Sequence, residues 1–158
     1  MIRRARTGDV VAIQKLINGY AATGVMLPRS RVQLYVSLRD FVVAEADGRI
    51  VGCCGLSLCW EDLAEIRSLA VDASHRGRGL GEVLLAACLE EAKQLGIHRI
   101  FALTTSPGYF RRFGFVECDK KELPHKIWNE CLNCPKFPDD CDETALLLRL
   151  AGRKEAEP

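Results

Sequence analysis

Arg76-Gly77-Arg78-Gly79-Leu80-Gly81 follows the apolar stretch Leu63 to Val71 and precedes a long amphipathic segment, so it reads as the loop of a strand-loop-helix unit. Its glycines let the backbone turn tightly with N–H groups pointing inward, and the following helix adds the positive end of its dipole. Such a unit holds an anion, and a pyrophosphate fits it. The spacing excludes two common nucleotide loops. No Gly-Lys-Ser/Thr follows, as a P-loop requires, and G-x-G-x-x-G with an acidic residue farther on is absent. What stands here is R-x-x-G-x-G, from Arg76 through Gly79 to Gly81. A glycine-rich turn without a ligand is the plainer alternative.

Composition narrows the function classes. The 158 residues suit one domain able to bury a core without staples. With 22 basic and 21 acidic residues the net charge is +1, which gives no electrostatic case for nucleic acid or for an anionic membrane surface. Gly8, Asp9, Gln14 and Lys15 interrupt the start, so no signal-peptide core or spanning helix is expected there, and the expected compartment is cytoplasmic. The eight cysteines are then reduced thiols, with Cys53, Cys54, Cys59 and Cys88 as ordinary core residues.

Periodicity and punctuation give the order of elements. Ile2 to Arg6 forms a short strand, and a helix after Thr7 carries Val10, Ile13, Leu16, Ile17 and Tyr20 before Gly24 ends it. Ser30 caps a second helix running through Leu34 and Leu38. Strands at Phe41 to Ala46 and Ile50 to Cys59 flank the hairpin turn Asp47-Gly48. After the strand Leu63 to Val71, a helix from Gly79 presents Leu80, Val83, Leu84, Ala87, Cys88, Ala92 and Leu95 on one face and closes at Gly96. Arg99 to Thr104 is a strand, Pro107 to Phe113 a short helix, Gly114-Phe115 opens another strand, and Ala145 to Leu150 is the last. The tail 151–158 is polar.

That order, together with R-x-x-G-x-G and the segment Tyr109-Phe110-Arg111-Arg112-Phe113-Gly114-Phe115, resembles the GNAT superfamily of N-acetyltransferases over residues 1–150. The resemblance implies an α/β (α+β) fold with a mixed central sheet flanked by helices, in one domain over 1–150. It also implies acetyl-CoA as cosubstrate. The pyrophosphate would lie on Arg76, Gly77, Arg78, Gly79, Leu80 and Gly81, and the pantetheine arm along unpaired backbone of Leu69, Ala70 and Val71, where the central strand splays from its neighbour.

Amine acetylation needs a neutral amine, so a base or a water path to one must lie beside the acetyl group. Glu65 stands in Ala64-Glu65-Ile66-Arg67-Ser68-Leu69-Ala70-Val71, at the register where relatives in this family place their base. A carboxylate in an apolar strand is costly unless paired, and a salt bridge to Arg67 or Arg29 is the structural alternative. For the leaving thiolate, many family members use a Tyr four residues before the Gly of Gly-Phe. Here that slot is Phe110, and Tyr109, one residue earlier, is the candidate acid, with water as the other proton source.

The acceptor is read from a narrower likeness. Met26-Leu27-Pro28-Arg29-Ser30-Arg31-Val32-Gln33-Leu34, Phe101-Ala102-Leu103-Thr104-Thr105 and Leu123-Pro124-x-Lys126 are similar to the acyltransferase domain of bacterial N-acetylglutamate synthases, here in a short form without the kinase-like domain. This implies transfer of acetyl to the α-amine of L-glutamate, the first step of arginine biosynthesis. Two carboxylates need cationic clusters, for which Arg29, Ser30, Arg31, Arg67 and Lys126 are the candidates. Acetylation of another amine, such as a different amino acid or a protein N-terminus, and a non-catalytic coenzyme A-binding module are the alternatives. His125, Cys131, Cys134 and Cys141 give H-x5-C-x2-C-x6-C, a spacing able to hold zinc; ordinary loop thiols are the preferred reading. The final strand fits either an internal position or pairing in a homodimer.

Overall fold

The computed structural model describes residues 1–21, 28–120, 123 and 143–150. Its strands are β1 (Ile2–Arg4), β2 (Phe41–Ala46), β3 (Arg49–Trp60), β4 (Leu63–Val71), β5 (Arg99–Thr104), β6 (Val116–Glu117) and β7 (Thr144–Arg149). Its α-helices are α1 (Val10–Ala21), α2 (Arg31–Val36), α3 (Leu80–Gln94) and α4 (Pro107–Arg111). The strands form one mixed sheet in the order β1-β2-β3-β4-β5-β7-β6. Antiparallel pairing joins β1 to β2, β2 to β3, β5 to β7 and β6 to β7, while β4 and β5 run parallel. A mixed sheet with flanking helices is the architecture that the sequence implied.

Chain contacts divide the molecule into two compact units. The first takes Met1–Ser57 and Ile66–Glu91. Its core joins Val10, Ile13 and Ile17 of α1, Leu34 of α2, Phe41 and Val43 of β2, Cys53 of β3 and Ala70 of β4. The three α1 residues recur at three- and four-residue spacing, which puts them on one helical stripe. At the start of this unit Arg3 grips Asp9 through both guanidinium nitrogens, at 2.8 and 3.0 Å, and bonds Glu45 at 2.8 Å. Asp9 also accepts the Arg6 amide at 2.7 Å, so one buried carboxylate ties β1 to the entry of α1.

The second unit takes Leu58–Glu65 and the described part of Ala92–Pro158. Leu63, Phe101, Leu123 and Ala145 form its core, and β5 pairs with β7 from Arg99↔Arg149 to Thr104↔Thr144. The parallel partners of β4 and β5 are Ala64↔Ile100 and Glu65↔Phe101. Leu63, Ala64, Glu65 and Ile66 are all buried, the continuous burial of a strand covered on both faces.

Several elements differ from expectation: β1 ends at Arg4 and not Arg6, α4 at Arg111 and not Phe113, and β6 begins at Val116. The second helix does not run through Leu38: it stops at Val36, Ser37 returns its hydroxyl to the Gln33 carbonyl at 2.7 Å, and Leu38–Asp40 forms a separate 3-10 turn. On α3 the buried stripe is Leu84, Leu85, Cys88 and Ala92, whereas Val83 and Leu95 are 49% and 52% exposed, so the expected face is rotated toward Leu85. The expected helix end at Gly24 and the tail 151–158 lie outside the described residues.

Candidate active site

The glycine loop has the backbone its sequence demanded. Asp72 leads into a 3-10 turn at Ala73–His75, then Gly77 and Gly79 take φ values of 80° and 78°, a region that side chains resist. The Gly79 carbonyl accepts from Val83 N at 3.2 Å and so begins α3, whose first-turn N–H groups have no partner within the helix. Ser74 donates to Asp72 at 2.8 Å, which with the nearby Arg49 and His75 holds the Asp72 carboxyl below the usual range. Among the described residues neither Arg76 nor Arg78 has a carboxylate partner, so their charge is left to act on whatever enters the loop.

Tyr20 is the residue that sequence reasoning missed here. It was read only as an apolar position of the first helix, yet its hydroxyl donates to the Val71 carbonyl and accepts from Arg76 Nε at 2.9 Å. The Arg76 guanidinium also lies over its ring, 4.8 Å from the centroid. The Val71 carbonyl is therefore engaged by the first helix. No local signal marks this contact, since Tyr20 and Arg76 are 56 residues apart.

Upstream in β4, Ser68 has φ 56°, an unusual value for a side-chain-bearing residue, which breaks the regular alternation of the strand before Leu69. Its carbonyl accepts from the Cys53 thiol at 3.3 Å. Burial pushes the Cys53 thiol up to about 12, and the Cys88 hydrogen bond, with burial behind it, raises Cys54 well above its ordinary value. These thiols are held protonated and behave as core residues.

The basic segment rests on α1. Asn18 accepts the Arg29 amide at 3.1 Å, Gln14 donates to the Arg29 carbonyl at 3.3 Å, and the Gln14 oxygen accepts Arg31 Nε at 3.0 Å. Gln14 and Asn18 stand one helical turn apart, so one polar face of α1 sets Arg29 and Arg31 together. Ser30 is committed to helix capping: its hydroxyl accepts Gln33 N at 3.1 Å and its amide donates to Gln33 Oε1 at 2.9 Å. Asp40, which the sequence did not single out, feels Arg67; burial raises its carboxyl above the ordinary range and the Arg67 charge works against that rise.

In the second unit Glu65 is 3% exposed and Phe101 is its β5 partner in register. Tyr109 of α4 has a buried hydroxyl, and its ring packs 5.4 Å from Phe110 and 5.3 Å from Phe113, with the Arg112 guanidinium 5.1 Å above it. Phe110, the slot where the family often has a tyrosine, is buried against Phe115 at 5.3 Å. The one-residue offset thus sends Phe110 into the core and leaves Tyr109 as the aromatic that carries a hydroxyl. Lys126 and the set His125, Cys131, Cys134 and Cys141 lie outside the described residues. Among the described residues no cluster of His, Cys, Asp and Glu suits a metal ion, and no helix is long and apolar enough to cross a membrane.

Residues 21–115 match the model of the Acetyltransferase (GNAT) family. The chain is 40% identical over 149 residues to an uncharacterized N-acetyltransferase of Chlorobaculum tepidum, covering 94% of this chain and 96% of that one. It is 38% identical over 133 residues to an amino-acid acetyltransferase of Mycobacterium tuberculosis, covering 82% and 76%. Among solved structures, N-acetylglutamate synthase from Neisseria gonorrhoeae complexed with coenzyme A and N-acetyl-glutamate superposes with a TM-score of 0.84 at 31% identity. That match covers 96% of this chain but 35% of the Neisseria chain, so the likeness spans about a third of the longer enzyme.

Proposed function

Because the chain belongs to the GNAT family of acetyltransferases, we propose that it transfers the acetyl group of acetyl-CoA to the α-amine of L-glutamate, the reaction of an N-acetylglutamate synthase. The observation that carries the chemistry is Glu65, a carboxylate only 3% exposed on the strand whose end leads into the glycine loop. A buried acid is retained against its desolvation cost where it serves a proton transfer or an ion pair. The positive-φ glycines and the two loop arginines without carboxylate partners among the described residues support pyrophosphate as the anion held there.

The α-ammonium of glutamate must lose a proton before it has a lone pair to attack with. Glu65 takes that proton. The amine nitrogen then adds to the acetyl carbonyl carbon, the C–N bond forms, and the tetrahedral adduct collapses as the C–S bond breaks. The departing thiolate takes a proton from the Tyr109 hydroxyl or from water, the second proton of the nitrogen returns to that phenolate or hydroxide to leave a neutral amide, and Glu65 releases the first proton to solvent with the products. No covalent bond to the protein forms. Arg31, whose Nε rests on Gln14, and Arg29, whose backbone Gln14 and Asn18 hold, are the cations suited to bind carboxylate oxygens, with Arg67 and Lys126 as further ones.

Glutamate as acceptor is further supported by the amino-acid acetyltransferase of Mycobacterium tuberculosis and by the Neisseria enzyme that binds N-acetyl-glutamate. The test is thiol release from acetyl-CoA with L-glutamate against a panel of other amino acids and a peptide N-terminus. Glutamate giving the highest kcat/KM supports the reading, and turnover only with another amine overturns it. Glu65→Gln should lower kcat by about 10²- to 10⁴-fold with little change in KM for acetyl-CoA. An unchanged pH profile of kcat/KM in that variant removes Glu65 as the base.

A further inference from the structure

Arg76 opens the loop, and its guanidinium is held by a neutral partner. Among the described residues Tyr20 alone contacts that side chain, through Nε at 2.9 Å, through a second nitrogen, and through the ring face at 4.8 Å. A carboxylate in this position would fix the arginine equally well and cancel its charge. A phenol fixes it and leaves the charge whole. The hydroxyl donates onward to the Val71 carbonyl, so Arg76, Tyr20 and the last residue of β4 form one chain of hydrogen bonds in which the phenol proton points at Val71 and its oxygen lone pair at Arg76.

An exposed arginine with no partner samples many rotamers, and freezing it on an anion costs side-chain entropy. Stacking on a ring removes much of that freedom in advance, because the planar guanidinium has few orientations that keep both the ring contact and the hydrogen bond. Arg78, two residues on, has no such support among the described residues. We propose that Tyr20 is a positioning residue for the donor: it presets the Arg76 guanidinium beside Gly77 and Gly79 so that the diphosphate of coenzyme A meets an oriented, uncompensated cation. The proposal rests on the coenzyme A reading of the loop. It assigns to the last turn of α1 a part in donor affinity and no part in the proton transfers.

The experiment compares coenzyme A with pantetheine, which has the same thiol arm and lacks the diphosphate. Calorimetric Kd values are measured for both with the wild type, Tyr20→Phe and Tyr20→Leu, and kcat at saturating acetyl-CoA is measured alongside. Phenylalanine keeps the stack and loses the hydroxyl; leucine loses both. Tyr20→Leu is expected to weaken coenzyme A by about tenfold and Tyr20→Phe by about threefold, with pantetheine affinity and saturated kcat unchanged. In an Arg76→Ala background Tyr20→Leu should add no further loss, because the residue works through Arg76.

Equal weakening of coenzyme A and pantetheine would mean that Tyr20 only supports the fold, and would overturn the proposal. So would additive losses in the double variant, or an unchanged Kd in Tyr20→Leu. If the leucine variant fails to fold by circular dichroism, the phenylalanine variant carries the same comparison, and no selective loss in it overturns the idea. If the wild type itself prefers coenzyme A to pantetheine by no margin, the diphosphate reading of the loop fails, a result separate from any failure of Tyr20.

Discussion

Gly79→Ala isolates the cost of one backbone angle. A Cβ added at Gly79 meets nothing within 4 Å, so the methyl group has room and only φ resists it. At φ 78° an alanine stands in the left-handed region, at a cost of about 1–2 kcal/mol. The loop is exposed, so the free protein can relax and escape most of that strain. Binding a diphosphate on the N–H groups of Gly77 to Gly81 requires the strained backbone again, so the cost falls on the ligand. At about 1.4 kcal/mol per factor of ten, coenzyme A should bind about 5- to 30-fold more weakly while the melting temperature hardly changes. Gly19→Ala is the counterpart: it lies within α1 with equal open space and an ordinary φ, so the same change should stabilise the fold by about 0.5–1 kcal/mol and leave coenzyme A affinity alone. Calorimetric titration and thermal melts of both variants are the assay. A Gly79→Ala variant that binds coenzyme A within twofold of wild type would refute the claim that this backbone is the one the ligand needs.

Three other perturbations test the first unit. Asp9→Ala removes a bidentate arginine pair and the Arg6 amide bond from a carboxylate 8% exposed, while Arg3 keeps Glu45 and the Arg4 carbonyl; urea denaturation should show a loss of about 2–3 kcal/mol. The Arg3 hydrogen bonds hold the Asp9 carboxyl below its ordinary 3.8, so this stabilisation is complete above that value and is lost as the pH falls through the depressed native one; the gap between wild type and variant should close on acidification, and a gap independent of pH would contradict the assignment. Gly52→Ala places a methyl carbon 2.9 Å from Leu84 Cδ1 and 3.4 Å from the Ala70 carbonyl in a fully buried site, and should cost about 1–3 kcal/mol in thermal or urea unfolding. Arg29→Ala should raise KM for glutamate by about tenfold or more with KM for acetyl-CoA unchanged, as expected for the loss of a charge-assisted pair to a carboxylate; an unchanged glutamate KM would take Arg29 out of the carboxylate clamp.

The strands that sequence periodicity delimits to the residue are β2, β4 and β5, each a dense apolar run bounded by turn residues. The helices were read less well, since a helical face depends on which side the sheet takes: Val83 and Leu85 are chemically alike, and only packing decides that Leu85 goes inside. The break at Ser37 had a readable cause, a serine able to bond back to the preceding turn, but the same residue is tolerated in many helices. Ser68 gave no warning at all. Nothing in its type announces a positive φ, so the irregularity of β4 beside Leu69 was invisible until the strand was placed.

The same contrast separates the proposed donor half of the site from the proposed acceptor half. β4, the glycine loop and α3 follow one another along the chain, and each advertises itself locally by an apolar run, by glycines or by a helical stripe. The proposed acceptor side draws on Gln14, Asn18, Arg29, Arg31 and Arg67, polar residues whose meaning lies in which of them meet. Gln14 was read only as an interruption of an apolar start and Asn18 was not singled out, yet they hold the Arg29 backbone and the Arg31 side chain. Ser30, taken with its arginine neighbours as a ligand, spends its hydroxyl on a helix cap. In the proposed carboxylate clamp Gln14 touches the Arg31 guanidinium and the Arg29 backbone, so changing Gln14 should affect both residues. In the proposed site, acceptor binding is therefore sensitive to a polar face of α1, whereas donor affinity is tied to the backbone angles of the loop and, through Tyr20, to one aromatic ring.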